Sequence, residues 1–281
     1  MKRKIINYIY LMKKLLLLIT CLLLSNFIVS AQATKFKHAE GKFVNVNGAK
    51  LWIETEGNGD ALFLISGGPG GSHVGMHSFE ALKDVGKLVF IDNYGRGKSD
   101  LAKNVEEYSL NRDVEDIEGL RKALGYEKIN ILGHSYGGMV AQQYAIKYPQ
   151  YVKHLIIANS FYSGEMWQAN DDNCNHEIKT NYPEVWERLM AVRAKGEHSN
   201  DAEHIKIYGE IPYGFIYAYN PDKFLEALDK DYPNNFNSKL YYQLVGYDGD
   251  FIIGGDIAKV DYRKQLKDLT MPVLIIAGKR I

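Results

Sequence analysis

The chain has 281 residues, 46% of them hydrophobic and 24% charged, with Lys plus Arg balancing Asp plus Glu at 34 each. This is an ordinary globular balance, and the length suits one large α/β domain with an insertion, or two small domains. No basic block with interleaved aromatic residues occurs, so a nucleic-acid partner is not expected.

Residues 1–31 have the layout of a secretory signal peptide. Lys2, Arg3, Lys4, Lys13 and Lys14 make a basic start, and an apolar run follows from Leu15 to Val29. Val29-Ser30-Ala31 then offers small side chains before a cut at Gln32. The apolar run is short for a span of ~20 residues, so cleavage, export to the periplasm or beyond, and no membrane span in the mature protein are expected. The leader carries five basic residues and no acidic ones, which leaves 29 basic against 34 acidic side chains, or about −5. Cys21 leaves with it, and a single Cys174 forms no internal disulfide.

Beyond the leader the elements follow in order. Asn47-Gly48 between two alternating runs predicts a hairpin over residues 43–46 and 50–55. Ala61-Leu62-Phe63-Leu64-Ile65 reads as a strand buried on both faces and ends in Ser66-Gly67-Gly68-Pro69-Gly70-Gly71. Residues 87–91 form the next strand, followed by the glycine-broken loop Asp92 to Ser99. Val114, Ile117, Leu120 and Leu124 share one face of a helix over 111–124. A strand over 128–132, a helix over 137–148 and a strand over 152–158 come next. This alternation predicts a doubly wound, mostly parallel sheet. It breaks at Asn159-Ser160, and residues 160–255 read as a cap insertion, with helices over 183–195 and 222–228. A short helix over 263–269 and a strand over 271–277 return to the core. The expected division is therefore 1–31, 32–159, 160–255 and 256–281.

Between the strand 128–132 and the helix 137–148 stands Gly133-His134-Ser135-Tyr136-Gly137. Gly-x-Ser-x-Gly at a strand-to-helix turn is a nucleophile elbow, in which small flanking residues permit strained backbone at the serine. Ser135 is the expected nucleophile. The N–H groups of Tyr136 and Gly68 are the expected donors to a developing oxyanion.

Taken together, Gly67-Gly68-Pro69-Gly70, Asp92 with Gly95-Arg96-Gly97-Lys98-Ser99, and Gly133 to Gly138 resemble the α/β-hydrolases of the proline iminopeptidase family. The resemblance runs from about residue 43 to the end and is weakest in the cap. It departs from the family at Ser66, where a histidine is usual, and at Tyr94, where an arginine is usual. It implies a serine aminopeptidase acting on small peptides. An esterase or lactonase, and a non-catalytic small-ligand binder, are the alternatives. An epoxide hydrolase or dehalogenase would place Asp where Ser135 stands. It also implies that Asp250, in Gly246-Tyr247-Asp248-Gly249-Asp250-Phe251, takes the place of a glutamate that holds the substrate amine.

In this fold the acid and the histidine follow the serine in the chain. The family's acid follows the strand at 271–277 as Gly-x-x-Asp, but Gly278-Lys279-Arg280 is followed by Ile281. The expectation is an inactive, C-terminally truncated chain without the last strand and helix. His73 and His77 are the nearest substitute bases, while His176, His198 and His204 are expected to be solvated. No His-Glu-x-x-His motif and no paired cysteines occur, so neither a metal nor another cofactor is expected.

Overall fold

A computed structural model describes residues 41–212 and 236–278. The leader and the helix expected over 222–228 lie outside the described residues. The first two strands, β1 (Gly41–Val46) and β2 (Ala49–Glu56), form the expected hairpin around Asn47-Gly48, with both turn residues at positive φ. Then come β3 (Ala61–Ile65), β4 (Lys87–Ile91), helix α1 (Leu110–Ala123), β5 (Ile129–His134), helix α2 (Tyr136–Lys147) and β6 (Val152–Ala158). After a long excursion the chain returns as β7 (Val273–Ile276).

The seven strands make one sheet in the order β1-β2-β4-β3-β5-β6-β7. β1 with β2 and β2 with β4 are antiparallel, and every other pairing is parallel. Parallel central strands are covered on both faces, which is why β3 is buried at every position. On one face Phe63, Ile65, Val89 and Ile131 join Val114, Ile117 and Leu120 of α1 and Met139, Val140 and Tyr144 of α2. On the other, Leu62, Leu64, Leu88, Phe90 and Leu132 pack with Met76 from a 3₁₀ run, His73–Asp84. That run was not anticipated.

Between β6 and β7 lie helices α3 (Gly164–Asn181), α4 (Pro183–Arg193), α5 (Ala202–Tyr208) and α6 (Ser238–Val245). Ile178, Val185, Leu189, Val192, Ile207 and Ile211 give the first three a small core of their own. Leu240, Leu244 and Val245 of α6 instead join the main core. The helix expected over 263–269 is reduced to a 3₁₀ turn, Leu266–Asp268. β7 forms where a strand was expected, and its four apolar residues, Val273 to Ile276, are 43–71% exposed. Among the described residues β7 pairs only with β6. No helix among the described residues is long and apolar enough to cross a membrane.

Candidate active site

Ser135 has φ 53° and ψ −122° at the junction of β5 and α2. A residue with a Cβ occupies that region only under strain, so the surroundings must hold it there. Three bonds do so: the Ser135 N–H donates to the Ala158 carbonyl (3.0 Å), and the Ser135 carbonyl accepts from the Gly138 N–H (2.9 Å) and the Ser160 hydroxyl (2.6 Å). The two elbow glycines are required by contact. A Cβ on Gly133 would stand 2.2 Å from the Gly137 carbonyl oxygen, and one on Gly137 would stand 2.2 Å from that of Ile65.

The glycine loop after β3 lies directly against this serine. A Cβ on Gly67 would come within 2.7 Å of the Ser135 Cβ, and Gly68 has φ +61°. Tyr136 is the first residue of α2, so its N–H belongs to the helix-start donors that have no partner within the helix.

Arg96 locks loop and elbow together. Its guanidinium donates to the Pro69 carbonyl in the glycine loop and to the Tyr94 carbonyl, and grips Asp113 with two bonds of 2.6 and 2.9 Å. Asp113 on α1 also accepts from the Tyr136 hydroxyl at 2.6 Å. All of these side chains are buried. The start of α6 is tied to the same loop: the Asn237 N–H donates to the Gly70 carbonyl, and its side-chain amide donates to the Gly95 carbonyl.

The histidines fall elsewhere. Among the described residues no imidazole is hydrogen-bonded to Ser135. His73 is fully buried with Nδ1 2.7 Å from Asp92 Oδ1 and Nε2 3.4 Å from Glu54 Oε2. Burial opposes its charge, but the hydrogen bonds to Asp92 and Glu54 outweigh it and hold the imidazolium up to about 9. A ring protonated at neutral pH and enclosed by two carboxylates is no general base for Ser135. His77 lies in the same cluster, with Nε2 3.7 Å from Glu54 Oε2. His154, on β6, bonds Asn130, and burial holds His134 below its ordinary value. His176 and His198 are exposed, but His204 corrects the expectation of a solvated side chain. It is fully buried, stacked on Tyr208 and edge-on to Phe251.

The two carboxylates of residues 246–251 divide their roles. Asp248 is tied by Arg193 in two bonds of 2.6 and 2.8 Å and by the Ser199 N–H, which makes it a brace for the turn. Asp250 keeps its carboxylate 28% exposed, with His204 Nε2 3.4 Å away. Its backbone is held by Ser199 and Asn175. No hydrogen bond or ion pair links Asp250 to Ser135. Asp171 on α3 lies within electrostatic reach of Asp250. Burial pushes its carboxyl up to about 7, against a bond from Asn170, with the charges of Asp250 and Asp172 adding to the rise.

A sequence profile described as the alpha/beta hydrolase fold matches residues 60–280. This chain belongs to the α/β-hydrolase fold family. Among its relatives, the hydrolase is 29% identical over 229 residues to a proline iminopeptidase of Saccharolobus solfataricus, covering 80% of this chain and 71% of that one. It is 28% identical over 248 residues to one from Flavobacterium johnsoniae, covering 82% and 77%. The crystal structure of a Mycobacterium smegmatis proline iminopeptidase superposes with a TM-score of 0.67 at 21% identity, covering 85% of the hydrolase and 82% of that chain.

Sequence reasoning missed Asp113 as the hub of the site and Asp171 as the partner of Asp250. The only advance signal for Asp113 was an acidic residue one position before Val114, on a helix whose apolar face was read as core. Asp171 leads to a prediction. Its folded pKa, about 7, lies above the ordinary value near 3.9. The native state therefore holds a proton that the unfolded chain releases, and stability falls as pH rises from about 4 to 7. Asp171→Asn should raise Tm at pH 8 by a few degrees, at about 2–4 °C per kcal/mol for a domain of this size, and by less at pH 5. An equal gain at both pH values would show that Asp171 does not titrate in this window.

Proposed function

We propose that this hydrolase is a serine aminopeptidase of the proline iminopeptidase type, acting on small peptides with a free N-terminus. The observation that carries the reading is Ser135 held at positive φ on the elbow, with the glycine loop pressed against its Cβ. Ser135 Oγ is placed to attack the scissile carbonyl once a base takes its proton, with the amine of the following residue as the leaving group. The N–H groups of Tyr136 and Gly68 receive the oxyanion, and donors fixed in advance need no reorganisation as charge develops. Among the described residues no imidazole is hydrogen-bonded to Ser135, so substrate binding is the step tested first. The relatives named proline iminopeptidase support the peptidase over the esterase.

The free amine is read in the cap, where Asp250 presents a partly exposed carboxylate and Asp171 stands by as a second acid. An arriving ammonium draws Asp171 toward its charged form. A hydrogen bond to a charged group contributes about 1.5–3 kcal/mol, or roughly 10- to 100-fold in affinity. Calorimetry on the 281-residue chain should therefore find a prolyl dipeptide with a free amine bound tighter than its N-acetyl form by that factor. Asp250→Asn should erase the preference. Equal binding of the two peptides would remove the aminopeptidase reading, and a preference that survives in the variant would remove Asp250 from the role.

A further inference from the structure

Away from Ser135, at the opposite side of β3, the fold gathers a set of donors that the hydrolase chemistry does not use. Glu54 on β2 and His73 and His77 in the 3₁₀ run are all buried, and one donor atom from each lies within 4.8 Å of the others. Glu54 Oε2 is 3.4 Å from His73 Nε2 and 3.7 Å from His77 Nε2. Zinc takes imidazole nitrogen at about 2.0–2.1 Å and carboxylate oxygen at about 2.0–2.2 Å, so neighbouring donors of a tetrahedral shell stand roughly 3.3–3.5 Å apart. The two separations from Glu54 Oε2 are already near that spacing.

The atoms behind the donors are arranged as a metal shell requires. A metal-bound histidine usually donates its other ring N–H to a carboxylate, which fixes the tautomer and raises the basicity of the binding nitrogen. His73 Nδ1 does this toward Asp92 Oδ1 at 2.7 Å, and the same oxygen accepts the His73 backbone N–H at 2.9 Å. Asp92 Oδ2 is held in turn by the Lys98 N–H. On Glu54 the roles are split between the two oxygens. Oε1 accepts the Trp52 indole N–H at 2.9 Å and faces Lys98, while Oε2 faces both imidazoles. The His77 ring is set by stacking on Phe90, with centroids 4.3 Å apart and planes at 20°.

We propose that Glu54, His73 and His77 form a zinc site, with Asp92 and Trp52 orienting its ligands. Two imidazoles and one carboxylate suit zinc among the common divalent ions, since calcium and magnesium prefer all-oxygen shells. The same atoms already stand side by side, at 3.4 and 3.7 Å from Glu54 Oε2. The half-buried Glu56 and Glu80 form a second group with His77, and Lys83 is paired with both carboxylates. Bound zinc ties the 3₁₀ run to β2 and, through Asp92, to the end of β4, which steadies the segment that follows the glycine loop.

The test uses the 281-residue chain, stripped with chelator and titrated with zinc chloride against a competing indicator dye. One zinc per chain should bind, and Tm should rise with zinc concentration, because a ligand of the native state stabilises it. Glu54→Gln and His77→Gln should each weaken binding by at least tenfold. Crystals of the unsubstituted protein soaked in zinc should carry an anomalous peak between Glu54, His73 and His77, a readout that does not depend on any variant folding. No stoichiometric binding, a peak elsewhere, or unchanged affinity in folded variants would overturn the assignment.

Discussion

The 281-residue chain should release naphthylamine from prolyl-naphthylamide, and nitrophenol from nitrophenyl acetate, no faster than its Ser135→Ala variant. A serine hydroxyl is a weak nucleophile until a base takes its proton. The elbow, the glycine loop and the helix start are in place, but no described imidazole is hydrogen-bonded to Ser135. His73 is turned to Asp92 and Glu54 instead. In subtilisin, loss of the triad serine or histidine costs about 10⁶ in turnover. A deficit of that order hides any contribution of Ser135 beneath the background rate. The assay compares initial rates of the two proteins at equal concentration across pH 6–9. Turnover that disappears in the alanine variant would mean that a base does reach the serine. His134 would then be examined first, since it neighbours Ser135 and burial favours its neutral form.

Asp113→Ala should be the most destabilising single substitution around the site. It leaves the Arg96 guanidinium buried without its carboxylate and strips the Tyr136 hydroxyl of its acceptor. Breaking a buried ion pair from one side costs about 3–5 kcal/mol, equivalent to a fall in Tm on the order of 10 °C. Arg96 also holds the Pro69 carbonyl, so the glycine loop should loosen as well. Urea unfolding of Asp113→Ala, Arg96→Ala and the double variant would measure the coupling. Removing both partners should cost less than the sum of the single losses, by about 1–3 kcal/mol. Additive losses below about 1 kcal/mol each would show that the network is not what joins loop to elbow.

Several features were legible from the residues because their causes are local. The elbow needs small residues on either side of Ser135, and those contacts lie within a few positions of it. The hairpin follows from two turn residues that tolerate positive φ, and β3 from a run of apolar residues between turn signals. Other features were hidden for an equally physical reason. Helix α3 runs through Asn-Asp-Asp-Asn-Cys-Asn, poor helix formers with little apolar periodicity. It stands because Ser163 caps it and because Trp167 and Ile178 are buried, Trp167 stacked on Phe161 and Ile178 packed with Val185, Leu189 and Ile207. β7 was legible as a strand from its apolar run, while its pairing with β6, more than a hundred residues earlier, was set by the fold.

The residue sequence alone determined the strand–turn–helix at Ser135, the glycine loop before it and the alternation that makes a parallel sheet. Only the tertiary structure decided which charged groups meet. Arg96 finds Asp113 and Tyr136 because α1 and α2 pack side by side on one face of the sheet. Glu54, His73 and His77 converge because β4 pairs with β2 while the 3₁₀ run crosses the other face. Side-chain chemistry sets what such groups can do once together. Pairings between segments far apart in the chain, which no local pattern encodes, set whether they come together at all.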